Sequence, residues 1–290
     1  MKTDVLRQSS VDRAQHPVAG DMRARKSLKP RLFWRMGEPI PASLEWKLRV
    51  LSIVVPLALW WVAAAVEIAP AKFLPSPMDV ANALAGLVEQ GVFFGDLRAS
   101  MMRLGIAVVL ASVVSIPVGI AMGAFASVRS LLEPIVGVVR YMPATAFIPL
   151  LIIYLGLGES PKVALIFIGV IFFNTLMIMD AVKFVPKHLL EATYTMGGSR
   201  WQTLTQVIAP YVVPNIIDAF RINMAAAWNL LIVAEVIAAN EGLGKRIVIA
   251  QKFFRTDEIF AYIIVLGVLG FLIDLALVWI QKTSCKWAVE

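Results

Sequence analysis

From about Val50 to the end of the chain, long apolar runs alternate with short polar breaks. The first run, about Val50 to Ile68, approaches the roughly 20 residues that a bilayer core requires of a helix. A second extends from about Arg98 or Leu104 to Phe125, and Pro117 inside it predicts a kink. A third begins near Leu132 and ends near Leu157, interrupted by Arg140, Pro143 and Pro149. Gly156 to Pro161 reads as a turn, and Ser160-Pro161 opens a fourth run that ends near Ala181. The fifth, about Val207 to Ala239, holds Pro210 and Pro214 near its start, and the sixth covers about Ile259 to Ile280. The pattern predicts an all-α polytopic membrane protein with about six transmembrane helices.

Two polar stretches carry helical signals of their own. In Ser76-Pro77-Met78-Asp79 the serine suits an N-cap, the proline a first turn, and the aspartate sits three after the cap. Val80, Ala83, Leu84, Leu87 and Val88 follow at i, i+3, i+4, i+7 and i+8, a short amphipathic helix that cannot span. The other stretch is Pro186 to Pro210, a basic island between apolar runs. Pro186 to Tyr194 predicts a short helix, Gly197-Gly198 stops it, and Ser199 with Gln202 makes a capping-box pattern that opens the next. The expected product is a helix–turn–helix across one membrane face, because Lys187, His188, Glu191 and Arg200 make it too polar to insert. A plain connecting loop is the competing reading, although loops beyond about 12–15 residues are usually functional or disordered.

Composition narrows the class. Hydrophobic residues make up 59% and charged ones 16% of the chain, and the mean hydropathy is +0.76, outside the balance of soluble domains. The formal net charge of +7 does not argue for nucleic acid, since much of it lies in the first fifty residues, as in Arg23, Arg25, Lys26, Lys29 and Arg31. A basic flank beside an apolar run predicts a cytoplasmic tail, and six spans return the C-terminus to the same side. The basic cluster Lys245, Arg246, Lys252 and Arg255 falls on the outer side, which runs against that rule without reversing it. Residues 1–48 are expected to be a partly disordered tail with an interfacial segment, 49–285 the transmembrane domain with its loop at 186–210, and 286–290 a C-terminal tail. The first apolar run lies too deep for a secretory signal and is expected to stay as an anchor. Cys285 is the single cysteine, so no intrachain disulfide forms, and with only His16 and His188 beside it no metal site is expected.

Ionisable residues inside spans are costly and usually face the bundle interior or water. Arg140 is the first candidate for a translocation path, since no carboxylate precedes it closer than Glu133; a guanidinium suits small oxyanions. The alternative is a helix-end arginine reaching lipid phosphate. Arg221, Ala225, Trp228, Ile232 and Glu235 step by four, three, four and three, so they share one helical face. Asp218, one turn before Arg221, is expected to neutralise it. Glu235 is expected to meet a basic residue such as Lys245, and Asp274 a cation or an interface. Trp228 is equally a packing residue. No nucleophile–base pair stands out, so no catalytic residue is assigned. No phosphate-cradling G-x-x-x-x-G-K-[ST] occurs, and Gly242-Leu243-Gly244-Lys245 lacks its spacing.

Glu191-Ala192, Gly197 and Pro210 resemble the EAA loop of ABC-importer permeases. Its pattern is E-A-A, three residues, G, nine residues and I-x-L-P; Thr193, Val207 and Ala209 depart from it in side chain but not in register. Leu74-Pro75-Ser76-Pro77, Ile148-Pro149-Leu150, Gly156-Leu157-Gly158-Glu159, Ala227-Trp228, Ala234-Glu235, Gly242-Leu243-Gly244 and Thr256-Asp257 are similar to the nitrate/sulfonate/taurine/bicarbonate branch, so the resemblance covers roughly residues 45–287. It implies a type I (MetI-like) helical bundle in a bacterial inner membrane, with both termini cytoplasmic. It implies a coupling helix in which Glu191, Ala192, Gly197, Gly198 and Pro210 serve contact and turn roles. The implied partners are two cytoplasmic ATP-binding subunits, a second permease copy, and a periplasmic or lipid-anchored substrate-binding protein. ATP and magnesium would be held by the partner subunits, and this chain would bind no cofactor and be no enzyme. The expected cargo is a small oxyanion or sulfonate, nitrate slightly ahead of bicarbonate, cyanate and taurine or alkanesulfonates. A self-contained secondary transporter or anion channel is the alternative, but such folds often carry inverted repeats and no repeat is seen; a membrane enzyme lacks a catalytic constellation.

Overall fold

The structure, a computed structural model, describes residues 40–238 and 240–288. Most of the tail expected over 1–48 lies outside those residues. Every described element is helical. The chain divides into two compact units, one ending at Ala58 and one beginning at Leu59. Helix α1 (Ala42–Ala65) crosses that boundary and starts earlier than expected, taking in Leu44 and Trp46 from the stretch expected as tail.

In the second unit, α2 (Pro77–Glu89) begins as the sequence predicts. The Ser76 hydroxyl accepts from the Asp79 N–H at 3.2 Å, and the Asp79 carboxylate accepts from the Ser76 N–H at 3.0 Å. Hydrogen bonds from the Ser76 hydroxyl and N–H hold the Asp79 carboxyl below its ordinary pKa. Val80 and Leu87 bury one face of α2 against Leu243, Ala261, Tyr262 and Val265.

Helix α3 (Val92–Ala124) is continuous through Pro117, and α6 (Glu159–Lys183) packs along it. The two run parallel: Arg103 meets Glu159 at one end, and Gly123 meets Val182 at the other. Ala107, Ala111, Ser115 and Gly119, each four residues apart, form a buried small-residue column that lets the two backbones approach. A Cβ on Gly119 would stand 2.8 Å from both Ile178 Cβ and the Thr175 carbonyl, and one on Gly123 would collide with Val182. Gly119→Leu or Gly123→Leu is therefore expected to cost about 1–3 kcal/mol, read as a lower Tm in detergent. Gly105→Ala on the same helix, with open space around its Cβ, should leave Tm unchanged.

The expected third span is not straight. Helix α4 (Ala126–Val139) and the segment Ala144–Leu155, a 3₁₀ turn leading into α5 (Ile148–Leu155), meet at 83°. Pro143 sets the break, because a residue before proline is pushed out of the α region, and Gly156 at φ 77° ends α5. Among the described residues, five segments are long and apolar enough to cross a bilayer, six if this bent pair counts as one.

Helix α7 (Lys187–Thr195) follows α6. The fifth segment begins earlier than Val207: α8 (Arg200–Gln202) passes through a π-helical turn at Thr203–Ile208 into α9 (Ala209–Ala238). The π turn sits just before Pro210, whose missing N–H and ring disrupt the regular ladder. Helix α10 (Leu243–Lys252), which the hydropathy pattern did not reveal, and α11 (Thr256–Ser284) complete the bundle.

Candidate functional site

At the end of the bundle where α6 finishes, α7 forms with the turn after it a short hairpin of helices. Gly197 adopts φ 80°, its N–H donates to the Tyr194 carbonyl at 2.9 Å, and the Gly198 N–H donates to the Thr193 carbonyl at 2.9 Å. These bonds satisfy the last carbonyls of α7 and reverse the chain. Ser199 and Gln202 then make the expected reciprocal cap, with the Ser199 N–H donating to Gln202 Oε1 at 2.8 Å. Leu190 and Leu204 hold the hairpin to the core through Val185, Ile208 and Val212. The outer side stays uncovered: Met196 is 81% and Trp201 71% exposed. Glu191, Ala192 and Tyr194 are exposed too, and Glu191 has no ion-pair partner among the described residues. Pro210 lies exposed at the start of α9.

The intramembrane charges divide into three settings. Arg221 donates to Asp274 of α11 at 2.5 Å and stands 3.9 Å from Asp218. Asp274 is the hydrogen-bonded partner, the cation contact expected of it, and Asp218 forms the expected ion pair at longer range, its carboxylate also accepting from Gln281 Nε2 at 2.8 Å. Arg221, Ala225, Trp228 and Ile232 line one cleft of ≈ 390 Å³ against α11, as their spacing predicts.

Arg140 directly follows α4, at the break before α5. Its guanidinium lies 4.7 Å over the Tyr141 ring and donates to the Tyr141 hydroxyl at 2.8 Å. Its Nε is enclosed and has no hydrogen-bond partner among the described residues. A second cleft of ≈ 370 Å³ opens beside it, walled by α6 and the other flank of α9.

Glu235 enters the third setting, at the opposite end from α7. It is fully buried, and its partner is Arg103 of α3, 2.6 Å away, not Lys245. Ser100 Oγ donates to the same carboxylate at 2.6 Å, and the Gly244 N–H at 2.8 Å. Arg103 also reaches the Glu241 carbonyl at 2.8 Å and pairs with Glu159, which Lys162 contacts at 2.7 Å. Asp96 completes the set, accepting from the Gly242 N–H at 2.8 Å and from Arg246 Nε at 2.5 Å. Gly242 (φ 129°) permits this, since a Cβ there would stand 2.7 Å from Arg103 Nη1. Four helices, α3, α6, α9 and α10, are locked together. The sequence reading missed Arg103, although Asp96, Ser100 and Arg103 recur at helical spacing on one face.

Membrane-length helices, a bent pair and a polar helical hairpin left uncovered at one end fit a multi-pass membrane protein. The chain belongs to the family of binding-protein-dependent transport system inner membrane components, whose profile matches residues 115–284. It is 34% identical over 265 residues to the taurine transport system permease protein TauC of Escherichia coli, covering 90% of this chain and 95% of that one. It is 28% identical over 242 residues to a putative aliphatic sulfonates transport permease protein SsuC of Bacillus subtilis, covering 83% and 88% respectively. The fold matches a chain from inward-facing structures of the MetNI methionine ABC transporter, with a TM-score of 0.59, 19% identity, and coverage of 66% of this chain and 95% of that chain. The protein is an ABC-importer permease of the inner membrane, a family whose members are not themselves enzymes.

Proposed function

We propose that this chain forms the membrane-spanning path of an importer that carries an alkanesulfonate inward while separate subunits hydrolyse ATP. The uncovered α7 hairpin supports that reading most directly: it presents Glu191, which has no ion-pair partner among the described residues, beside Tyr194, Met196 and Trp201 on a hydrogen-bonded turn, a surface suited to a cleft in another protein. The α7 end would then face the cytoplasm together with both termini. The α2 and α10 end would face the substrate-binding protein, and a second copy would complete the path. Closure of the ATP-binding subunits would swing α7 and shift the bundle between inward- and outward-facing states. Alkanesulfonates are preferred over nitrate, the slight favourite from sequence, because the names of similar permeases specify taurine and aliphatic sulfonates.

The test is ATPase stimulation of the complex reconstituted with its ATP-binding subunits and loaded binding protein. Taurine or an aliphatic sulfonate is expected to stimulate, and nitrate, bicarbonate and cyanate are not. Uptake by this chain alone, driven by an ion gradient, would instead establish a secondary transporter.

A further inference from the structure

The cleft at the α4–α5 break has a composition that its packing does not explain. Arg103, Lys162 and Arg221 each meet a carboxylate, and Arg129 donates to the Met122 and Gly123 carbonyls at the end of α3. Arg140 has neither kind of partner among the described residues. Tyr141 takes one of its Nη2 hydrogens and stacks beneath it, which fixes the guanidinium plane. The Nε–H is left enclosed and unpaired, with the Nη1 hydrogens also uncommitted. A buried donor without an acceptor is uncommon in a folded protein. Arg140 itself lines a cleft of ≈ 370 Å³, within the size range of small-ligand sites.

The walls add a second chemistry. Asn229 lines the cleft from α9, and its Nδ2 donates to the Ala225 carbonyl at 3.0 Å, which leaves its other amide hydrogen free. Phe172, Ala144 and Leu230 supply apolar wall. Gly169 keeps the helices close, since a Cβ there would collide with Leu230 and stand 3.4 Å from Ala144 Cβ. Donors at one corner and apolar wall around it fit a ligand with an acceptor-only head and a short hydrocarbon tail. A sulfonate has three acceptor oxygens and no donor, and a guanidinium edge can bind two of them side by side. Nitrate and bicarbonate have no tail to place against Phe172.

We propose that this cleft is a sulfonate subsite within the permease, with Arg140 binding the sulfonate oxygens, Asn229 donating beside it, and Phe172 and Leu230 contacting the carbon chain. The assignment rests on the sulfonate-import reading above. It also makes the 83° break functional, because the break brings Arg140, the first residue after α4, to the flank of α9.

Ala226 and Phe173 line the same cleft, so Ala226→Cys in a Cys285→Ser background supplies a reporter, with Phe173→Cys as a second. The assembled transporter, in a phospholipid-free maltoside detergent, is treated with a thiosulfonate reagent carrying a sulfonate group and with its trimethylammonium counterpart. The sulfonate reagent is expected to react at least tenfold faster than the cationic one. Millimolar taurine or ethanesulfonate should slow it at least threefold and choline should not. Adding Arg140→Gln should remove both the charge preference and the protection, and Arg140→Lys should restore the preference but only part of the protection. Absence of labelling at both positions, preference unchanged by Arg140→Gln, or no protection by sulfonates each overturns the proposal. Protection by added phosphatidylglycerol but not by sulfonates would make this a lipid-phosphate site and overturn it as well. A wild-type complex whose ATPase ignores every sulfonate sinks the import reading; a stimulated complex with indifferent labelling sinks the subsite alone.

Discussion

Glu235→Ala is expected to cost about 3–5 kcal/mol, because it leaves the Arg103 guanidinium buried with one of its two carboxylates gone. Four donors converge on this corner: Ser100 Oγ, the Gly244 N–H and Arg103 on Glu235, and the Leu243 N–H on Ser100 at 3.0 Å. Glu159 cannot take over, since it already pairs with Arg103 and Lys162 and is 61% exposed at its side chain against 0% for Glu235. The expected readout is loss of the monodisperse protein after extraction in detergent, or a Tm lowered by more than ten degrees where it survives. The companion Arg103→Met/Glu235→Met should recover part of that loss, because an apolar pair removes the uncompensated charge. Equal Tm values for Glu235→Ala and the parent would remove the lock from the account of this fold.

What the sequence made legible was what forms within a few residues. The Ser76–Asp79 cap, the Gly197 turn and the Ser199–Gln202 cap are local hydrogen-bond patterns, and each stands where the sequence put it. The apolar runs were legible because bilayer thickness sets their length. Charge pairing was legible only in part. Nearness in the chain finds the Asp218–Arg221 pair at 3.9 Å but not the tighter Asp274 contact from α11, and it offers Lys245 to Glu235 where Arg103 arrives from α3. Helical spacing identifies which side chains share a face, but not which face another helix brings to them. Arg103 is hard to see for a related reason: a charge near the start of an apolar run looks like the membrane boundary, whereas α3 begins at Val92 and buries Arg103 among partners from α6, α9 and the loop before α10. Pro143 and Pro149 mark interruptions in the sequence, but a turn of 83° depends on the helices that receive the two halves.

Gly197→Val is expected to reduce substrate-driven ATPase and uptake on the order of 10²-fold while the bundle stays folded, since small displacements of a positioned element can cost that much. At φ 80° a β-branched side chain is strained by about 1–3 kcal/mol, and the strain is relieved by re-forming the turn. Space around Gly197 is open, so no core contact is lost. The damage is confined to where α7 points. Gly198→Val acts by another route, because its Cβ would stand 2.6 Å from Thr193 Cγ2 and 2.9 Å from the Thr193 carbonyl, and pushes on α7 itself. Glu191→Arg leaves the turn intact and reverses the exposed charge, so it should release the ATP-binding subunits without moving the helix. Helical content by circular dichroism and Tm should match the parent for Glu191→Arg. Co-purification of the ATP-binding subunit and ATP-driven uptake should fall in all three variants. If the subunits remain bound and coupled in all three, α7 is not where ATP hydrolysis acts on this chain, and the exposed Met196 and Trp201 would need another occupant.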